Sequence, residues 1–391
     1  MTSHTIIYSK VNDIPKNIWE ELDSSSNVYF TLEYLSAIEK NNSHLQFFYV
    51  ILKNDQQKAI AFGSVQIINF YLNSIENEFS NPLKKLSSIL RKLKIFPKEK
   101  PLKILNCGNA FVSGEYGIYV KEGQNKFIIL KKISKEIYHY TQKNSQLESI
   151  DIFIMKDFAA NSLKISNQLI NFGYYSFNAE PNMKLKIDER WLVFEDYLGA
   201  LKTKFRIKAK KALQLSSDLL VKDINVDNFD DQVSQMTELY KRVVSKASFS
   251  LDKFNLTTYK DLKQNLGNSY ILKSYWIENK MVGFMSGVIY NKNLDAHFVG
   301  IDYLLNKQKA IYQRMLYDYI EIAIVKKVST LNFGRTASEI KSSVGATPEH
   351  LTLYIRHQKT ITNKILKLFL LKIHPKEYHQ KFPFKNDIKN L

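Results

Sequence analysis

One stretch late in the chain limits the fold more than any other: Leu331 to Ala346, LNFGRTASEIKSSVGA. Thr330 to Phe333 reads as a short apolar strand ended by Gly334, and Thr336 and Glu339 stand three apart ahead of a helical pattern. That spacing predicts a capping box, in which the threonine oxygen accepts from the N3 amide and the glutamate reaches back to the cap amide. Ala337, Ile340 and Val344 fall on one helix face, and Gly345 is placed to end the helix. Free amides at a helix start attract anions, and Arg335 and Lys341 would add formal charge there. Gly334 has no side chain to hold a ligand off the backbone. A capped surface helix with two solvated cations gives the same pattern. The stretch therefore dictates a strand–turn–helix unit before it dictates any function.

Around it, apolar β-rich runs alternate with helical patterns. Thr31 to Lys40 reads as a helix, and Leu45–Leu52 and Ala59–Phe70 as strands joined by Lys53-Asn54-Asp55. Leu102–Asn106, Ile150–Met155 and Met183–Ile187 read as further strands. Lys126–Lys143 and Asn161–Phe172 read as helices, the second stopped by Gly173. Composition shifts at Asp188-Glu189-Arg190-Trp191, which suggests two domains, 1–188 and 189–391; 391 residues is long for a single core. The second half follows a similar order. Phe194 onward is helical, Asp218–Asp223 a strand, and Phe229–Ser245 a helix. Three β-rich runs (Tyr270–Ile277, Met281–Tyr290, Leu294–Ile301), a long helix Ala310–Lys327 and a last strand Leu351–His357 complete it. Such alternation predicts an α/β protein with mixed sheets.

Charge narrows the partners. The formal net charge is +18, which favours polyanions or anionic membrane surfaces, although a lysine-rich genome produces the same balance. Pro82 to Phe96 predicts a basic amphipathic helix, with Leu83, Leu86, Ile89, Leu90, Leu93 and Phe96 on one face and Lys84, Lys85, Arg91, Lys92 and Lys94 on the other. The 83–96 helix suits either an anionic membrane surface or docking on its own domain. A second acid-free run, Lys202, Lys204, Arg206, Lys208, Lys210 and Lys211, suits a channel wall for a phosphate-bearing donor or an RNA acceptor stem, or simply a solvated helix face. The lone Cys107 excludes an internal disulfide. No secretory signal is expected from MTSHTIIYSK, and no apolar run has the length to cross a bilayer. The expected location is cytoplasmic, with peripheral contact at the inner membrane.

Several stretches resemble a known family. NFGRTASEIKSSVGA, the preceding AIYQRMLYDYIEIAI and the following LTLYIRH resemble the C-terminal half of FemAB-like proteins, a branch of the GNAT acyltransferase superfamily. That branch includes peptidyltransferases that add amino acids to cell-wall precursors. VYFTLEYLSAIEK and FEDYLGALKTKFRIKAKKAL fit more loosely, so the likeness touches most of the chain but is specific only in its last third. The resemblance implies an α/β fold of two tandem GNAT-like domains, each a mixed, largely antiparallel sheet flanked by helices. It also implies a lysine after the late strand in a place comparable to Lys341.

Ordinary GNAT enzymes hold the pyrophosphate of coenzyme A on a Gly-rich turn between a central strand and the next helix. The equivalent segment here, GIDYLLNKQKAIYQR, offers only Lys307, Gln308 and Lys309. The expected donor is therefore aminoacyl-tRNA, as in the family's peptidyltransferases, or acyl-CoA or an acyl carrier held by those lysines as point charges. No tightly bound cofactor is expected. Acyl transfer to an amine needs a proton acceptor for the amine, charge stabilisation for the oxyanion and a proton for the leaving group. Lys341 and Arg335 are the candidates for charge stabilisation, and Asp302 for the amine-side base or anchor. Tyr312, His297, Lys307, Lys309, Lys204, Arg206 and Gly334 are candidate substrate contacts, His297 and Tyr312 having structural readings as well. No H-E-x-x-H or paired-cysteine motif suggests a metal.

The expectation is thus an acyl- or aminoacyltransferase acting on an amine of a small-molecule or lipid-linked cell-envelope precursor, or of a lipid. The rival is a non-catalytic protein that binds RNA or anionic lipid through its basic faces. Transfer, on this reasoning, would have Arg335, Lys341 and Asp302 line one cleft.

Overall fold

The computed structural model describes residues 4–71, 100–145, 147, 149–246, 251–371 and 377–385. The expected 83–96 helix lies outside the described residues. Two compact units result. The first comprises Met1–Ala179, Ser248–Phe254 and His350–Pro375; the second comprises Glu180–Ala247, Asn255–Glu349 and Lys376–Leu391. This differs from a single boundary at 188. Strand 182–186, expected in the first domain, belongs to the second sheet, and strand 352–357, expected in the second, belongs to the first. Pairing partners distant in sequence decide both, and a composition shift carries no information about them.

In the first unit the strands are β1 (His4–Tyr8), β2 (Gln46–Lys53), β3 (Ala59–Phe70), β4 (Leu102–Cys107), β5 (Ile118–Val120), β6 (Ile152–Phe158) and β7 (Tyr175–Asn178). Of the second-unit strands, β8 is Asn182–Lys186, β9 Leu220–Asp223, β10 Tyr270–Ile277 and β11 Lys280–Tyr290. β12 is Asn293–Ile301, β13 Thr330–Asn332 and β14 Thr347–Glu349; β15 (Thr352–His357) returns to the first unit. The sheet orders are β1-β2-β3-β4-β6-β15-β7, with β5 on β3, and β14-β8-β13-β12-β11-β10-β9. Among the described residues each sheet contains one parallel pair, β4 with β6 and β12 with β13, and the other pairs are antiparallel. The mixed, largely antiparallel α/β architecture is as expected.

The core of the second unit positions its site. Helix 311–325 buries Ile311, Met315, Leu316, Tyr319, Ile320 and Ala323. A Cβ on Gly283 would meet Met315 and Ile311, whereas one on Gly300 would meet Leu239 of helix 229–244. Gly300 pairs with Phe284, the neighbour of Gly283, and successive strand residues point to opposite faces, so the two helices cover the sheet from both sides. The parallel pairing of β12 and β13 covers only Asn293–Asp295 against Thr330–Asn332. Beyond it β12 continues to Ile301 with β11 alone as its partner, past an irregularity where Gly287 faces Ala296 and Met285 faces Val299. β13 itself ends at Asn332, so the chain leaves the sheet there while β12 runs on.

Several boundaries depart from expectation. The basic helix is broken in two, 194–200 and 203–215, because Leu201 takes an extended conformation and bridges to Phe384. Helices 258–266 and 303–309 were not expected, and 160–172 forms short 3₁₀ and α turns rather than one helix.

Candidate active site

β13 ends at Asn332, and the chain then turns sharply. Gly334 lies in the left-handed region at φ +71°, as do Thr336 at +68° and Ala337 at +50°. Gly334 adopts this conformation freely, whereas Thr336 and Ala337 pay for it with strain that the surroundings must hold. The turn is pinned from both sides: the Gly334 amide donates to Asn332 Oδ1 at 2.9 Å, and the Met183 amide donates to the Gly334 carbonyl at 3.1 Å. Arg335 Nε donates to the Glu180 carbonyl at 3.0 Å.

The helix that follows is Ser338–Ser343, started by Ala337 without a side-chain cap. The capping box is therefore absent. The left-handed pair at 336 and 337 takes Thr336 out of the cap position, and the Glu339 carboxylate pairs with Lys381 at 2.9 Å. Gly345, at φ +107°, ends the helix as expected. It also leaves room for the Phe384 ring, which an added Cβ would approach to 2.3 Å.

Lys341 points beneath this helix. It is only 4 % exposed, and its Nζ donates to the carbonyls of Gly334 at 3.1 Å and Arg335 at 2.7 Å. Burial pushes its pKa down to about 7 from the ordinary 10.5, against the opposing charge of Glu180. A neutral amine that donates both of its protons to carbonyls retains a lone pair, and its protonated form has a third N–H to give. Near neutrality Lys341 thus lies close to its own pKa, whereas the sequence suggests a fixed charge.

A cavity of about 540 Å³ lies over the helix. Its walls include Glu180, Lys208, Gln313, Ala337–Ile340, Ser343, Glu377, Tyr378 and Lys381. One wall is the segment 377–385. There Gln380 Nε2 donates to the Ala346 carbonyl at 3.0 Å and the Lys381 amide to Ser342 Oγ at 3.1 Å, while Phe384 packs against Trp191 and Tyr197. Sequence reasoning missed Glu180, Gln313, Glu377, Tyr378 and Lys381, none of which carries a motif. Lys208 was visible as part of the basic run.

The other expected residues are placed differently. Asp302 does not join Lys341 and Arg335. It follows Asp295, the partner of Asn332, by seven residues, roughly 20 Å at the rise of a strand. There it caps helix 303–309 by accepting from the Leu304 amide at 3.0 Å, and pairs with Lys280 at 3.0 Å and Arg242 at 3.3 Å. Burial pushes its carboxyl up, but the hydrogen bonds from Lys280 and the Leu304 amide, with the charges of Lys280 and Arg242, outweigh it and leave its pKa below the ordinary value. An acid held charged by two cations is a weak base, so of the two expected roles, amine-side base or anchor, the base does not fit these surroundings. Burial keeps His297 neutral, with its pKa down at about 3, and its Nδ1 lies 3.4 Å from Tyr270 Oη. Tyr312 packs against the core, and burial raises its phenol.

Lys307 and Lys309 lie in the last turn of helix 303–309, where they complement its dipole, and Lys309 pairs with Asp218. Lys204 is exposed and Arg206 half-buried on helix 203–215, one turn before the cavity-lining Lys208. Among the described residues no cluster of His, Cys, Asp and Glu suits a metal, and no helix is long and apolar enough to cross a membrane.

No protein-family model matches the chain, and no curated protein matches it. Solved structures do. FemX is similar with a TM-score of 0.54 and 10% identity, over 90% of this chain and 99% of its own. A tandem GNAT protein from the clavulanic acid biosynthesis pathway gives 0.53 and 7%, over 91% and 98%. The L-PGS of Bacillus licheniformis gives 0.53 and 10%, over 92% and 98%. The chain has the tandem GNAT-like fold that these proteins share.

Proposed function

We propose that this chain transfers an acyl or aminoacyl group onto an amine of a cell-envelope precursor or lipid, at the strand–turn–helix unit 332–343, with the donor held in the cavity above its helix and Lys341 on the turn side beneath it. The observation that carries the reading is Lys341: a buried lysine with its pKa near neutrality, tied to the strained turn that follows β13. In the reaction, the amine nitrogen bonds to the acyl carbon and the bond from that carbon to the donor's oxygen or sulfur breaks. One proton leaves the amine and one is needed by the leaving group. Lys341, which is not a wall of the cavity, exchanges both protons from the turn side of the helix, as suits a group whose pKa lies near working pH. Arg335 fixes the Glu180 end of the site, and Lys208 faces the phosphate of the donor, either aminoacyl-tRNA or acyl-CoA or an acyl carrier.

A second reading, binding of RNA or anionic lipid without chemistry, draws on one observation. Helix 203–215 exposes Lys204, Lys208, Lys210 and Lys211, with no ion pair among the described residues, while Asp302 is removed from the cleft. The decisive experiment incubates the purified chain with each donor class and a panel of amines, reading new amide by mass spectrometry. Amide formation with one donor, lowered about 10²–10³-fold by Lys341→Met, is expected. Saturable RNA or lipid binding with no amide from any donor would replace transfer by the second reading.

A further inference from the structure

Helix 360–370 of the first unit packs on β15 and buries Thr362, Leu366 and Leu370, one residue per turn. Its opposite face is open. Ile361 is 74 %, Leu368 57 % and Leu371, on the following turn, 64 % exposed, and Lys364 and Lys367 are exposed with them. At 100° per residue, Ile361, Lys364, Leu368 and Leu371 all fall on the side facing away from the buried stripe. In the sequence, Leu368 and Leu371 share the lysine side, which by itself gives only partial amphipathicity. Burial reverses the meaning, for the lysine side is the solvent side and its leucines are the exposed ones. No Asp or Glu occurs between Glu349 and Glu377, so nothing along this segment offsets its lysines.

We infer that this face docks on the surface of an anionic lipid bilayer. Large apolar side chains interleaved with lysines on a helix lying parallel to a surface match the interfacial region, where side chains insert shallowly and ammonium groups meet lipid phosphates. The lysine stems also extend along the apolar surface while their charges reach the headgroups. A second copy of this chain would be a poorer occupant, since two such faces would bring their lysines together. This inference rests on exposure and charge in the first unit and needs nothing from the reading of the Lys341 cavity.

The test is flotation of the full chain with vesicles of phosphatidylcholine alone or mixed with phosphatidylglycerol, with no donor or acceptor present. Wild type is expected on the anionic vesicles at low salt and off the neutral ones. Each lysine near an anionic leaflet strengthens binding about five-fold, so Lys364→Gln with Lys367→Gln lowers it about 25-fold. Ile361→Ser, Leu368→Ser and Leu371→Ser together lower it at least about tenfold. Leu368→Trp, at an exposed position that leaves folding intact, should shift its emission to the blue on anionic vesicles. Equal binding to both vesicle types, an unshifted Leu368→Trp emission, or light scattering showing a dimer that the serine variant abolishes would each overturn the proposal.

Discussion

Lys341→Met gives the most direct test of the buried lysine, because it can be read without a substrate. Unfolded, Lys341 titrates near the ordinary 10.5; folded, burial holds it at about 7. Between those values the unfolded chain binds one more proton than the native one. Stability conferred at this residue therefore rises as pH rises through that window, by up to about 1.4 kcal/mol per unit. From pH 7.5 to 9.5 the wild type should gain about 2–3 kcal/mol that Lys341→Met does not. For a unit of this size that is about 5–10 °C in the thermal midpoint. The substitution also removes one donor from each of the Gly334 and Arg335 carbonyls, the first keeping the Met183 amide, at a cost that does not vary with pH. Other titrating groups cancel when the variant is subtracted from the wild type. The assay is thermal unfolding followed by circular dichroism across the pH series. Curves that run parallel from pH 7 to 9.5 would refute the depressed pKa, and with it the proton-handling role.

Turnover should rise about tenfold per pH unit below about 7 and level off above, since the neutral form of Lys341 accepts the amine's proton; initial rates over pH 5.5–9 check this. Asp302→Ala removes a helix cap and should cost about 1 kcal/mol or more in urea unfolding, while transfer rates stay within about two-fold. Gly345→Ala should destabilise by about 1–3 kcal/mol, because φ +107° strains any Cβ and that Cβ also meets Phe384, and Phe384→Ala should relieve only the steric part in a double-mutant cycle. Lys208→Gln should raise the Michaelis constant for a phosphate-bearing donor several-fold with little change in turnover, whereas Lys309→Gln should change neither constant.

Long periodic elements were legible in the sequence because their physics is local. Helix 126–143 begins and ends where its pattern does, with Asn125 accepting from the Ile128 amide as its cap. The β2–β3 hairpin and the β10–β11–β12 meander needed only alternation and short turns. The allocation of strands to sheets was not legible. β8 joins β13 and β15 joins β6, pairings that span well over a hundred residues and are settled by competition among edges. The break in the basic helix at Leu201 likewise depends on Phe384, far along the chain.

The site was half legible for a related reason. Gly334, Arg335 and Lys341 belong to one strand–turn–helix unit, so their proximity follows from sequence distance, although the local rule invoked for them, a capping box, was overridden. Thr336 and Ala337 take left-handed conformations against their own preference, and the compensation is tertiary: Met183, Glu180 and the ammonium of Lys341 all bond to the turn. The fold around the turn also buries the lysine, and that burial lowers its pKa against the charge of Glu180. The local conflict and the proposed chemistry thus share a cause, because a turn relaxed into a regular cap would no longer aim its carbonyls at Nζ. Asp302 shows the converse. Its neighbours satisfied a local rule completely, an aspartate capping the next helix, and the residue was spent on structure.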